Sequence, residues 1–429
     1  MIETKRVVVT GMGVVAPEAE TLQEFNEILY SGRSLIRHID ELEEYGFDAQ
    51  NGAIANPEID EKNELLRLFE IDLTSDFIKL AVKAAYNAWL DAGLPLPDPD
   101  SDEVDFHTGV MIGGVISGIE MLVKKVIPIV DQKRPKRLGS MIVQNTMPSG
   151  ASAYISSIFA LGNHALSLNS ACSTGVDSIN WGYHSIASGW AERMVVGAAD
   201  AYNPYSWAGF EGMRVLNRSS NDAPEKASRP MSASAKGFVP GSGAGVLILE
   251  ELNVARARGA RIYAEVLGGF SNCGALRGGG SMTFPNREGV IRALKSTFEV
   301  CRIRAEEIDY INGHLSGTMA DPFEVQNWYD AMQLKDKAFP YINSTKSILG
   351  HSLGAAGSIE IIATLLQLQH GYVHASLNTE DLHPQIEKLI GRDSVPLKRV
   401  DFPDMRIAAK ANFGFGDVNS AIILKKYEE

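Results

Sequence analysis

Two kinds of apolar pattern alternate along the chain. Short apolar runs at residues 6–10, 109–112, 262–267 and 308–312 read as strands, the Val-rich first of them as one buried on both faces. Longer stretches at 73–93, 151–161 and 287–301 carry apolar residues at helical spacing, so the spacing predicts amphipathic helices there. Strand and helix patterns in alternation predict an α/β fold. The alternation restarts after a charged stretch at 250–258, as though the chain held two similar halves. No linker-like or low-complexity segment separates them, so they are expected to pack as one unit.

Composition narrows the function. The 429 residues carry a formal net charge of −13, which argues against non-specific nucleic-acid binding while leaving room for a local basic patch facing an acidic partner. Cys172, Cys273 and Cys301 are the only cysteines and have no CxxC spacing, so neither a disulfide framework nor a zinc site is expected, and a reducing cytoplasm fits. Lys5-Arg6 followed by valines has the outline of a signal peptide, but two glycines interrupt the run and no small-x-small cleavage site follows, so it reads as a strand. No window is long and apolar enough for a membrane span.

Five motifs carry candidate chemistry. Gly11-Met12-Gly13-Val14-Val15-Ala16 matches a dinucleotide fingerprint in letters, but Pro17, Glu18 and Glu20 stand where the phosphate-binding helix should run, so a structural glycine turn is expected instead. In Asn169-Ser170-Ala171-Cys172-Ser173-Thr174-Gly175 an apolar run leads through small residues into a helical stretch. That places Cys172 at a strand-to-helix junction, where unpaired amides and the helix dipole favour the nucleophilic thiolate; an inert core cysteine is the plain alternative. Asn312-Gly313-His314-Leu315-Ser316-Gly317-Thr318 and the stretch from Ser344 to Gly357, which contains Lys346 and His351, are two glycine-rich loops after predicted strands. Each histidine alone reads as structural, whereas one cysteine and two histidines on three such loops point to a shared site. Near the C-terminus, Asn412-Phe413-Gly414-Phe415-Gly416-Asp417-Val418-Asn419 alternates glycine with aromatic rings, as a tight turn or a mobile aromatic gate would.

Together with Ser228-Arg229-Pro230, the stretch from Gly237 to Gly245, and Met282-Thr283-Phe284-Pro285, these motifs make nearly the whole chain resemble the β-ketoacyl-(acyl carrier protein) synthases, in particular their elongating branch. The resemblance implies a thiolase-like five-layered αβαβα fold built from two related halves, 1–255 with the cysteine and 256–429 with the two histidines. It implies a decarboxylative Claisen condensation between an acyl thioester on Cys172 and a malonyl-acyl carrier protein. His314 and His351 would stabilise the enolate, and the amides of Cys172 and Phe415 would form the oxyanion hole. Lys346 and Glu324 would be an ion pair fixing His314. Thr283, Ser316 and Thr318 would touch the phosphopantetheine arm, with Ile116, Phe210 and Phe415 around the acyl pocket. The carrier protein would bring the pantetheine, no metal or other bound cofactor is implied, and the chain would pair as a homodimer or with a related ketosynthase-like subunit.

The sequence also departs from the family pattern. The usual His-Gly-Thr is His314-Leu315-Ser316, the loop onward to Asp321 is one residue shorter, the usual Gly-Phe-Gly-Gly ends in Asp417, and Gly278, Gly279 and Gly280 precede Ser281 where a histidine is common. These changes point to specialised polyene or polyketide synthesis rather than housekeeping fatty-acid synthesis. The main rival is a non-catalytic, chain-length-determining partner subunit, whose usual mark is loss of the nucleophile. A biosynthetic thiolase would show Cys-His-Cys, and an initiating synthase Cys-His-Asn.

Overall fold

The computed structural model describes residues 4–59, 73–334 and 337–428. Its strands are β1 (Val7–Val15), β2 (Arg37–His38), β3 (Asn51–Gly52), β4 (Thr108–Gly113), β5 (Ala165–Leu166), β6 (Arg193–Asp200), β7 (Gly243–Glu251), β8 (Ala264–Cys273), β9 (Tyr310–Asn312), β10 (Tyr341–Asn343), β11 (Tyr372–Val373), β12 (Val400–Asp401), β13 (Ile407–Gly414) and β14 (Val418–Lys426). Ten of them form one mixed sheet in the order β10-β9-β13-β14-β8-β1-β7-β6-β4-β5, while β2 with β3 and β11 with β12 make two small ribbons. The sheet reads the same from either edge. β5, β4 and β6 run parallel and are followed by antiparallel β7 and β1; from the other edge β10, β9 and β13 run parallel and are followed by antiparallel β14 and β8. β1 and β8 join the two sets over only Val7–Val9 and 264–266.

Alternation along the buried strands explains the layers. In β7, Leu247 and Leu249 face a core shared with Val176, Ile179 and Ile359, while Val246 and Ile248 face another built on Phe77, Ala81 and Ile155. In β14, Ile422 and Leu424 join the first of these cores, and Ile423 points into a third with Val290, Leu294 and Trp328. The first core covers both faces of the central helices, so the three cores fill the four interfaces between five layers. The helices Thr174–Ala187 and Ala356–His370 lie between the two halves of the sheet, Asp76–Asp91 and Gly150–Ile158 cover one outer face, and Arg287–Cys301 and Asp321–Met332 cover the other. This is the αβαβα arrangement that the resemblance implies. No helix among the described residues is long and apolar enough to cross a membrane.

One local expectation needs correction. The glycines 11 and 13 make no turn: β1 runs through both, with a register shift between Val9 and Gly11. A Cβ at Gly11 would lie 2.3 Å from the carbonyl of Ala88, and one at Gly13 2.0 Å from that of Ala84, so both glycines let the Asp76–Asp91 helix lie directly on the strand. The charged stretch at 250–258, where the alternation restarts, is formed by the end of β7 and a short helix, Leu252–Ala257.

A second close approach brings distant parts of the chain together. A Cβ at Gly175 would stand 2.5 Å from the backbone nitrogen of Ser358, and one at Gly357 2.7 Å from that of Val176. The two central helices thus touch, backbone to backbone, in their first turns. The Gly175→Val variant should force them apart and lower stability by about 1–3 kcal/mol, read as a fall in thermal midpoint; an unchanged midpoint would show that the contact can relax without cost.

Candidate active site

The contact between the central helices positions two of the three candidate groups. Cys172 immediately precedes the Thr174–Ala187 helix, and His351 lies five residues before Ala356–His370. Ala171 takes the left-handed conformation at φ 50°, turning the chain sharply before the cysteine. The Thr174 hydroxyl holds this turn, accepting from the Ser170 amide at 2.9 Å and donating to the Ala171 carbonyl at 2.7 Å. The Asn412 side chain donates to the Cys172 carbonyl at 2.8 Å, and the Ser173 hydroxyl donates to the Asn412 carbonyl at 3.1 Å, tying the cysteine to β13 and the Phe415 turn.

His314 follows β9, and His351 follows the neighbouring β10 and the short Lys346–Leu349 helix. The Cys172 sulfur and one nitrogen of each imidazole lie within 4.8 Å of one another. The two imidazole rings are 5.1 Å apart, centre to centre, and nearly perpendicular. The Leu353 amide donates to Nδ1 of His351 at 3.2 Å, which assigns the proton of the neutral ring to Nε2. Burial, together with the charges of Lys346 and Lys410, holds both imidazoles well below the usual histidine range, so both are neutral N–H donors near neutrality.

Cys172 differs from the expected resting thiolate. Burial pushes its thiol up to about 11, outweighing the pull of Lys346 and of the amides of Phe415 and of Cys172 itself, both of which reach the sulfur. The resting group is a thiol, with both amides aimed at its sulfur.

The expected Lys346 to Glu324 ion pair is not formed. Lys346 Nζ pairs with Glu360 at 2.5 Å, and the second carboxylate oxygen of Glu360 pairs with Lys410 Nζ at 2.7 Å, all three side chains being buried. Glu324 serves the backbone instead, accepting from the amides of His314 and Leu315, each at 2.7 Å. Burial pushes its carboxyl up to about 7 against the pull of those amides. Leu315, at φ 22° where the family usually has glycine, is fully buried in the outer core, and the Glu324 bond to its amide helps hold this strained backbone. Asp321 gathers the shortened loop by accepting from the amides of Ser316 and Gly317, each at 3.0 Å, and of Met231 at 2.8 Å.

Cys172, His314 and His351 open on a cavity of about 260 Å³. Of the expected binding residues, Phe210, Thr283, Ser316, Thr318 and Phe415 line it, as does Glu324. Ile116 lies outside the lining, its amide directed at Asp200. Lys346 sits behind the histidines rather than at the cavity wall. Phe415 packs against Phe210, ring centres 6.2 Å apart. Asp417, in place of the usual glycine, is buried in the left-handed conformation at φ 62°; its carboxylate accepts from the amides of Asn286 at 2.7 Å and Leu276 at 3.1 Å. It fastens the Phe415 turn to the 274–286 loop.

Lys410, Glu360 and Asp200 were missed in reading the sequence. Lys410 and Glu360 had a signal, each being a lone charge in an apolar run, on β13 and on the Ala356–His370 helix. Asp200 closes β6 and accepts from the amides of Val115 at 3.1 Å and Gly354 at 2.7 Å, fixing the turn that follows His351.

Models of the beta-ketoacyl synthase N-terminal and C-terminal domains match residues 4–255 and 263–380. The chain is 34% identical to 3-oxoacyl-[acyl-carrier-protein] synthase 2 of Rhizobium meliloti, over 99% of both chains. It is 31% identical to a putative polyketide beta-ketoacyl synthase 1 of Streptomyces halstedii, over 98% of both. Among solved structures, the ishigamide ketosynthase/chain length factor superposes with a TM-score of 0.85 at 28% identity, covering 99% of this chain and 100% of that one. With the cysteine, the two histidines and the five-layered fold in place, the chain belongs to the β-ketoacyl synthase family of condensing enzymes.

Proposed function

We propose that the protein extends acyl chains by decarboxylative condensation with a malonyl-acyl carrier protein, using Cys172 as nucleophile. The observation that carries this is the Cys172 sulfur with two neutral imidazoles inside 4.8 Å. In the first half-reaction the Cys172 sulfur attacks the acyl thioester, and its proton ends on the departing pantetheine sulfur. In the second, the malonyl carboxylate leaves as carbon dioxide, and its bonding electrons move into an enolate whose oxygen accepts from His314 and His351. The enolate carbon attacks the Cys172 thioester, the oxyanion is held by the amides of Cys172 and Phe415, and collapse expels the cysteine sulfur.

Thr283, Ser316 and Thr318 would line the path of the pantetheine arm, which comes with the carrier protein as substrate. Lys124, Lys125, Lys133, Arg134, Lys136 and Arg137 form an exposed basic stretch in a chain of net charge −13 and would suit an acidic carrier protein. The halves 1–255 and 256–429 would each supply part of the site, in a homodimer or beside a ketosynthase-like partner, in the cytoplasm. The replaced glycine at Asp417 and the altered loop after His314 favour specialised polyene or polyketide chains. The retained Cys172, His314 and His351 favour catalysis over the role of a non-catalytic chain-length-determining subunit.

The test is incubation with acyl-loaded carrier protein, intact-mass detection of the acyl-enzyme, then addition of malonyl-carrier protein. Acylation at Cys172 followed by a β-ketoacyl product is expected. Failure across a broad acyl panel, alone and with partner subunits, would favour the non-catalytic role.

The depressed histidines give a pH expectation. Protonating His351 would remove the Nδ1 lone pair that accepts from Leu353 and turn the ring. The imidazole ring protons of His314 and His351, followed by NMR, should therefore show no titration as pH falls through 6.5, the ordinary histidine value, and shift only below it; a titration at 6.5 would contradict the assignment.

A further inference from the structure

The Lys346 to Glu360 pair is already neutral, yet a second buried lysine reaches the same carboxylate. Lys410 Nζ also donates to the carbonyl of Gly313, the residue before His314, and to that of Ala411, both at 3.1 Å. The His314 loop is therefore gripped from two sides: the Glu324 carboxylate takes the amides of His314 and Leu315, and the Lys410 ammonium takes the carbonyl just upstream. A buried ammonium is costly and is retained only where its contacts offset desolvation. No contact of Lys410 is needed to neutralise the Lys346 to Glu360 pair. What it contributes is a fixed Gly313 carbonyl and a positive charge behind the two imidazoles.

We infer that Lys410 is a positioning residue for the decarboxylation step, holding the His314 backbone in place through the carbonyl of Gly313. The inference rests on the condensing reaction above. Cys172 is served by Lys346 and the amides of Phe415 and Cys172, so Lys410 bears on the malonyl half-reaction rather than on acylation. The groups that face this cluster are Lys346, Glu360, Glu324 and the two imidazoles, with Asp321 beside Glu324 and with Tyr310 and His374 beside Glu360.

The test uses the full chain with Lys410→Met and Lys410→Gln. Either substitution leaves the Lys346 to Glu360 pair intact and neutral, so both variants are expected to fold. In K410M, acylation of Cys172 should stay within about threefold of the unsubstituted protein, while malonyl decarboxylation and condensation fall about tenfold or more. Removing a positive charge makes both imidazoles easier to protonate, so the acid limb of the decarboxylation profile should move to higher pH, by about half a unit or more. In K410Q, whose amide can donate to the Gly313 carbonyl, part of the rate should return while the pH shift persists. Equal losses in acylation and decarboxylation would overturn the inference in favour of a purely structural lysine. So would unchanged rates in both variants. If the unsubstituted protein neither acylates nor condenses, it is the underlying reaction that fails, and that result is distinguishable from any of these.

Discussion

Cys172→Ala should form no acyl-enzyme and lose condensation by about 10⁴-fold or more, yet continue to decarboxylate malonyl-carrier protein within about tenfold of the unsubstituted rate. The reason lies in the division of labour at the site. On the proposed reaction the sulfur would provide the attachment point, while the enolate would be stabilised by two imidazoles whose positions are set by other elements. His351 is held by the Leu353 amide, and His314 by Glu324 through its backbone. The methyl of alanine disturbs neither. Carbon dioxide release and β-ketoacyl product, measured in parallel on the same sample, separate the two steps. Loss of both together would mean that the histidines depend on the thiol for their function.

Glu360→Gln should produce the largest loss of stability. It leaves Lys346 and Lys410 buried with no carboxylate to pair with, and breaking a buried pair in this way costs about 3–5 kcal/mol. The sign of the pH dependence is fixed by the lysines. Burial already lowers Lys410 to about 8 despite the neighbouring Glu360, and without that carboxylate it falls further. A lysine whose folded pKa lies below its unfolded value binds more protons when unfolded, so stability rises with pH through that window. The deficit of E360Q should therefore shrink as pH rises toward about 8, where Lys410 loses its proton in the unsubstituted fold as well, as urea midpoints would show. A deficit that stays constant over this range would mean that the cost comes from packing rather than from stranded charge.

The sequence revealed the fold through local patterns that tertiary packing did not override. Residues 287–301 were expected as a helix and form one with those ends, because Asn286 caps it and apolar residues recur on one face. Val-rich 6–10 was expected as a strand but runs on to Val15, since the glycines that suggested a turn serve close packing against a helix distant in sequence. Cys172, His314 and His351 could be picked out because glycine-rich loops after strands mark where α/β folds gather chemistry. The ion-pair partner of Lys346 could not be assigned in the same way. Glu324 and Glu360 are both acids near the histidines in sequence, and only the packing of the Ala356–His370 helix against β13 decides that Glu360 receives both lysines.

Asp417 bears on the order of events in a turnover. Its carboxylate bridges the Phe415 turn to the amides of Leu276 and Asn286, Gly416 donates to the Met282 carbonyl at 2.8 Å, and Gly274 donates to the Asp417 carbonyl at 3.0 Å, so the aromatic turn and the 274–286 loop are stitched at four points. A glycine in place of Asp417 would remove the two carboxylate bonds and leave only the backbone ones. With Asp417, moving one strains or carries the other, and that loop runs on to Thr283 on the cavity wall. If the acyl chain enters past Phe415 and the pantetheine arm seats near Thr283, as proposed, the two events would become one committed step rather than two independent ones, a filter against substrates that satisfy only half of the site.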